Sequence, residues 1–252
     1  MSSCVRTVVR CVALFVGGYT INATLHECAH ALTAYALGVP ATLFHFYANI
    51  DRMHSTDGQR AVIAVVGPLF SLAFGAVFWI VYEKRVAAVS RPLFLYLAIF
   101  GLSIFLGNLA SISFVGDFSR AAAIIGMPAL ARYIITSGAL LLLASFMFFA
   151  GREIVSAIPG PAKAYVAAIC LVVLPTLIGT ALLIVVYLPM PQRFVGATVG
   201  SGVFWIFAAL GALTARAPKQ PPARTAVMWI EMAVAAAAIL VVRALVPGIQ
   251  FR

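Results

Sequence analysis

Long apolar runs alternate along the chain with short polar breaks that contain glycine, proline and charged residues. A helix needs about 20 mostly apolar residues to cross a bilayer, and each run is long enough for that. None of the breaks is long enough to hold a soluble domain. The pattern therefore predicts an all-α polytopic membrane protein with six or seven transmembrane helices, at about residues 7–38, 60–82, 93–115, 121–150, 163–188, 196–215 and 224–246.

Two parts of this pattern are irregular. The run at 121–150 contains Gly126 and Pro128, so it predicts either one long span or a short re-entrant piece followed by a helix from about residue 132. The longest break, at about 39–59, begins with β-branched and aromatic residues, which favour a short β-hairpin after the first helix.

Composition agrees with a membrane protein. The 252 residues are 63% hydrophobic and 10% charged, whereas soluble domains are roughly 25% charged, and the mean hydropathy is +1.07. The net charge of +10 comes from basic residues that are scattered over many breaks. Such scatter is typical of membrane-flanking charge, so we expect contact with the lipid bilayer and none with nucleic acid.

The termini and the cysteines add little. The first apolar run resembles a signal peptide but continues to Gly38 without a cleavage site, which predicts a retained helix. No transit-like leader precedes it, so we expect an integral membrane protein of a bacterial inner membrane. The four cysteines have no metal-type spacing, and we expect no disulfide framework.

The first span carries three ionisable residues within five positions, in the stretch ATLHECAHAL at 23–32. Such residues cost about 2.5–3.5 kcal/mol each at the centre of a membrane helix, so they usually mark function. His26 and His30 share a helix face and can both bind one metal ion, while Glu27 can reach a water molecule beside it. This is the HExxH pattern of two zinc ligands and a general base. The alternatives are a polar patch between helices and a non-catalytic metal site.

A catalytic zinc ion usually takes three protein ligands, and the residue types alone leave the third one open. Asp117, at the end of the third span, is one candidate; its alternative is a helix cap paired with Arg120. The other candidates are His45, His54, Glu83, Glu153 and Glu231, the last of which also suits a polar contact inside the bundle. Asn22 lies one turn before His26. We expect its side chain either to orient a metal ligand or to form an interhelical hydrogen bond.

Three passages resemble the site-2 protease family of intramembrane zinc metalloproteases. They are TLHECAHALTAYALGV at 24–39, AVIAVVGPLFSLAFG at 61–75 and GNLASISFVGD at 107–117, which resemble the three core segments of that family. In the third passage, Ser111 stands at the family's proline position and Phe118 replaces the glycine after the aspartate. The resemblance covers about residues 8–120, roughly half of the chain.

The resemblance implies a Zn²⁺ ion held by His26, His30 and Asp117, with Glu27 as catalytic base and acid and Asn108 as a catalytic residue that holds the substrate near the metal. It also implies a metalloprotease core at 1–120, followed by additional transmembrane helices of unknown role at 121–252. In the family a short sheet follows the first core helix, and an unwound substrate segment could add a strand to it.

We therefore expect an intramembrane zinc metalloprotease that hydrolyses a peptide bond in or near the transmembrane segment of a membrane protein substrate, expected to be single-pass. The alternative is a non-catalytic membrane protein, either a transporter or a protease-derived binding or chaperone protein. The oligomeric state stays open. The orientation of the protein in the membrane also stays open. The count of basic residues favours a cytoplasmic N-terminus, whereas the resemblance implies an N-terminus on the other side.

Overall fold

The structure, a computed structural model, describes residues 3–84, 91–161, 163–189, 202–215 and 225–251. These residues contain helices and three short strands in chain order. The elements are α1 (Ser3–Ala36), β1 (Ala41–Leu43), β2 (Ala48–Ile50), α2 (Asp57–Glu83), α3 (Arg91–Ala110), α4 (Asp117–Ile124), α5 (Ala129–Ala157), α6 (Ala164–Val186, with a π-helical turn at Ile169–Val173), α7 (Trp205–Thr214), α8 (Thr225–Ala244) and β3 (Ile249–Phe251).

Six of these helices, namely α1, α2, α3, α5, α6 and α8, are long and apolar enough to cross a membrane. The predicted all-α polytopic fold is therefore confirmed, and these helices are those of an integral membrane protein. Helix α7 is apolar but shorter. The seventh predicted span, 196–215, begins outside the described residues, which resume at 202.

Local sequence defines the ends of α1 and α2. Gly38 has a φ of 71°, and the N–H of Val39 donates to the Ala34 carbonyl at 2.9 Å, which is a helix-ending motif that favours glycine. Helix α2 begins with a reciprocal capping box between Thr56 and Gln59. The loop between the two helices is thereby held short and carries the hairpin.

The predicted break near Gly126 and Pro128 is also confirmed. Helix α4 ends at Ile124, Gly126 has a φ of 68°, and α5 begins at Ala129, close to the expected position of about 132. Proline suits this place because it lacks the N–H that a helix interior requires.

The three strands form one antiparallel sheet in the order β2-β1-β3. Ala41 pairs with Ile50 of β2 on one side and with Phe251 of β3 on the other. The hairpin of β1 and β2 is the one that the sequence predicts. The third strand comes from the C-terminal region and has no counterpart in the sequence analysis.

Helices α1, α3 and α7 meet in an aromatic core. The ring of Phe15 lies 5.0 Å from the rings of both Phe100 and Trp205. Helices α2 and α3 approach closely through Gly75 and Gly101, where a Cβ on Gly101 would lie 2.5 Å from the Cα of Gly75. The chain after α3 then places α4, which begins at Asp117, next to α1 and α2.

Two long-range contacts attach the C-terminal half to α1. The buried side chains of Arg10 and Glu231 form two hydrogen bonds of 2.6 and 2.7 Å between α1 and α8. Cys4 and Cys170 form a disulfide between α1 and α6. The expectation of no disulfide framework is therefore wrong for this pair, because cysteines that are 166 positions apart leave no spacing pattern.

Candidate metal centre

His26 and His30 lie one turn apart on α1, and each is only 5% exposed. Their Nε2 atoms are 3.2 Å apart. Asp117, from the start of α4, places its Oδ2 atom 3.1 Å from the first and 3.4 Å from the second. The structure thus brings together the three residues that the resemblance implies as ligands, in a group that could hold a metal ion.

The other nitrogen of each imidazole has its own partner. His30 Nδ1 lies 2.6 Å from the carbonyl oxygen of Ile63, which can only accept, so this nitrogen carries the proton. His26 Nδ1 lies 3.0 Å from Ser71 Oγ, and Ser71 donates its own proton to Asn22 at 3.1 Å. Nδ1 of His26 is therefore the donor as well, so each ring in its neutral form directs an Nε2 lone pair at the centre.

These three atoms fit a metal ion in chemistry and in spacing. Two lone pairs and a carboxylate oxygen repel one another at such distances unless a positive charge lies between them. Two atoms that each lie about 2.0–2.2 Å from a tetrahedral zinc ion are about 3.3–3.6 Å apart. The separations here are 3.1, 3.2 and 3.4 Å, so a cation requires only a small adjustment.

Asp117 is held by its backbone and by charge. It follows Gly116, whose φ of 109° few other residues adopt, and its N–H donates to Asn108 Oδ1 at 3.4 Å. Burial raises the pKa of the Asp117 carboxyl, but hydrogen bonds from His26 and His30 in their protonated forms outweigh burial and hold the pKa well below its usual range. The carboxyl is therefore ionised at neutral pH.

Asn108 lies behind the centre. Its Oδ1 accepts the Asp117 N–H, and its Nδ2 donates to the Ile104 carbonyl at 3.1 Å. In this arrangement Asn108 positions the backbone of Asp117, and its expected role towards a substrate stays a prediction. Arg120 lies 3.6 Å from the second oxygen of Asp117, so the alternative pairing of these two residues coexists with the metal group.

Gly67 gives the imidazoles their space. A Cβ at this position of α2 would lie 2.3 Å from His30 Nε2 and 2.8 Å from His26 Nε2. Any side chain here would therefore displace the two candidate ligands. This is a physical reason for the glycine of the Gly-Pro pair that the sequence analysis matched to the second core segment.

Glu27 stands at the same centre on a neighbouring face of α1. Its carboxylate lies within electrostatic range of His26, His30 and Asp117. Its Oε2 accepts a hydrogen bond of 2.8 Å from the backbone N–H of Ala48 in β2. The candidate general base is thereby fixed against the sheet.

The hydrogen-bond alternation of the hairpin shows which edge faces Glu27. Phe44 N–H bonds to Tyr47, and Asp51 N–H bonds to Pro40, so the residues between them alternate in direction. The backbone groups of Ala48 and Ile50 consequently point away from β1, along the outer edge of β2. Glu27 takes the N–H of Ala48, and the rest of this edge lies beside it.

The remaining ligand candidates lie elsewhere. His45 donates from Nε2 to the Tyr187 carbonyl at 2.9 Å, and His54 pairs with Asp51 in the exposed loop at 2.7 Å. Glu153 accepts from Tyr82 at 2.8 Å, and Glu83 is exposed at the end of α2. Glu231 makes the polar contact inside the bundle, with Arg10.

The sequence analysis missed two supports of the histidines. Ser71 is a polar residue one turn after Gly67 in an otherwise apolar helix, and that spacing could have indicated its direction towards the centre. The Ile63 carbonyl has no side-chain signal at all. It accepts from His30 Nδ1 at 2.6 Å although it lies inside α2, where the N–H of Gly67 is its helical donor.

Comparisons of the chain with protein-family models, with curated proteins and with solved structures found no match. A function for this protein therefore has to be inferred from the three sequence passages and from the geometry of this centre.

Proposed function

We propose that this protein is an intramembrane zinc metalloprotease. The observation that carries the proposal is the convergence of two Nε2 lone pairs and the Asp117 carboxylate within 3.4 Å of one another, with Glu27 held beside them. His26, His30 and Asp117 would hold the ion. When bound, zinc supplies Lewis-acid chemistry, since it polarises a peptide carbonyl and acidifies water.

Glu27 performs the proton transfers in this proposal. Its carboxylate accepts a proton from the attacking water molecule and then delivers that proton to the nitrogen of the leaving amine, so the proton count balances. The hydrogen bond from Ala48 keeps the carboxylate in place. Two imidazole partners, Ser71 and the Ile63 carbonyl, keep the metal ligands in the required tautomer.

The outer edge of β2 supplies a place for the peptide. An extended segment of substrate can add to this edge as a further antiparallel or parallel strand, because the Ala48 carbonyl and both backbone groups of Ile50 point outward there, while the Ala48 N–H is bonded to Glu27. Such a segment would pass beside Glu27. We propose a single-pass membrane protein as substrate, and a bacterial inner membrane as the location.

The decisive experiment compares the purified protein with a Glu27→Gln variant and with Glu83→Gln as matched control, since Glu83 is exposed and distant from the ligands. Zinc per chain is measured by mass spectrometry, and cleavage is scored on a panel of single-pass membrane proteins that carry a tag at each end. We expect about one zinc ion in all three proteins. We expect cleavage by the wild type and Glu83→Gln only.

Two results would contradict the proposal. A zinc-free wild type in zinc-containing medium would remove its basis. Zinc binding without cleavage, in wild type and variant alike, would instead support a non-catalytic membrane protein with a metal site.

A further inference from the structure

A cluster of buried polar groups lies on the face of α1 that leads to Glu27. Thr20, Thr24 and Glu27 are spaced by four and three residues, so they lie on one helix face over about 10 Å. Thr20 is 0% exposed, and the hydroxyls of both threonines have no hydrogen-bond partner within the described residues. A buried hydroxyl without a partner is costly and needs an explanation.

Two further groups converge on this face. Tyr187 follows α6, is 5% exposed, and packs its ring against Tyr19 at 6.1 Å. Its hydroxyl lies within hydrogen-bonding reach of those of Thr20 and Thr24, but none of the three hydroxyls makes a hydrogen bond of normal geometry within the described residues. Burial, followed by the neighbouring Tyr19, raises the pKa of this phenol, which therefore stays protonated and able to donate.

His45 contributes an acceptor to the cluster. Its Nε2 donates to the Tyr187 carbonyl, so Nδ1 carries a lone pair. That nitrogen is buried and also without a partner in the described part of the chain. The ring stacks on Tyr187 with centroids 6.3 Å apart, and His45 belongs to the same hairpin whose β2 strand contacts Glu27.

We propose that Thr20, Thr24, Tyr187 and His45 bind a small cluster of water molecules next to Glu27. Three hydroxyls and one lone pair supply both donors and acceptors, and buried water typically makes about three hydrogen bonds to such groups. The site lies where α1, the end of α6 and the hairpin meet. Its role follows if the proposed function holds: it stores the water that hydrolysis consumes, in a part of the protein shielded from lipid.

Hydroxyl-radical footprinting of the purified protein tests the water site without any substrate. Radicals formed by radiolysis modify side chains that contact water, and mass spectrometry identifies the modified residues. We expect Tyr187 to be modified roughly tenfold faster than Tyr96, a tyrosine of 0% exposure in the aromatic core. In a Thr20→Val/Thr24→Val variant, which keeps the side-chain volume, the rate at Tyr187 should fall to that of Tyr96.

Thr176→Val is the control, because Thr176 is also buried and its hydroxyl has no partner among the described residues, but it lies on α6 eleven positions before Tyr187. It should leave the labelling of Tyr187 unchanged. Equal, slow labelling of Tyr187 and Tyr96 in the wild type would overturn the proposal. So would a higher melting temperature of the double valine variant, because removal of dry, unpartnered hydroxyls stabilises a protein.

A measurement of proteolytic activity distinguishes the existence of the water site from its proposed role in hydrolysis. If the stored water serves hydrolysis, the double valine variant should lose roughly tenfold in kcat with unchanged zinc content. Fast labelling of Tyr187 together with unchanged kcat would retain the water site and overturn its role. Failure of the Glu27→Gln experiment would leave the footprinting result untouched.

Discussion

The two ends of helix α1 both bury ionisable side chains, and they do so in opposite ways. Near the N-terminal end, the Arg10 guanidinium, which only donates hydrogen bonds, meets the Glu231 carboxylate, which only accepts them. The two groups therefore match in charge and in hydrogen bonding. Near the other end, His26 and His30 in their neutral forms and the Asp117 carboxylate present only electron-pair donors to one another. The first group is complete within the protein, whereas the second is one that could hold a metal ion. The balance of donors and acceptors, rather than burial, distinguishes a structural contact from a binding site.

The largest expected effect comes from removing a ligand. Asp117→Ala should lower zinc affinity by more than about 100-fold and abolish cleavage, because two imidazoles alone hold the ion poorly. Added zinc should raise the melting temperature of the wild type, since a ligand that binds only the folded state stabilises it. It should leave that of the variant unchanged. A variant that still gains stability from zinc would show that the ion binds elsewhere.

Breaking the other end should affect stability and leave zinc binding intact. Glu231→Gln leaves the Arg10 charge buried without its counter-charge, which costs about 3–5 kcal/mol of unfolding free energy. The double variant Arg10→Met/Glu231→Met removes both charges and should recover most of that loss. Denaturation in detergent measures the unfolding free energy of each variant, and a repeat with a chelator shows whether the loss depends on bound metal. A loss that depends on the chelator would contradict the separation of the two ends.

The smallest effect is expected from a single methyl group. Gly67→Ala should destabilise the protein by about 1–3 kcal/mol and weaken zinc binding, because the new Cβ would lie 2.3 Å from His30 Nε2. Gly138→Ala is the matched control on α5, where a Cβ meets nothing within 4 Å; it should stabilise by about 0.5–1 kcal/mol. Equal effects of the two substitutions on zinc titration would show that Gly67 makes no space for the ligands.

The sequence predicts what is local in this molecule. The spacing of His26 and His30 within one helix, the hairpin after Gly38 and the break at Gly126 all depend on neighbouring residues. The apolar runs likewise predict the long helices, because the bilayer requires about 20 apolar residues. Asp117 could be chosen from its competitors only through the resemblance.

Long-range pairs could not be predicted. Arg10 with Glu231, Cys4 with Cys170 and β1 with β3 each join residues more than about 160 positions apart, and no local pattern marks such a pairing. The same holds for the support of His26 by Ser71, which lies on another helix. These contacts depend on how the helices pack, and that arrangement emerges only in three dimensions.

The pairing of β3 with β1 has a consequence for biosynthesis. A ribosome produces β3 about 200 residues after β1, and chains fold from the N-terminal end as they emerge. Until α8 has inserted, one edge of β1 stays open, and such an edge is prone to pair with other chains. A nascent chain thus holds its two histidines, Glu27 and the outer edge of β2 well before β3 completes the sheet on the far side of β1.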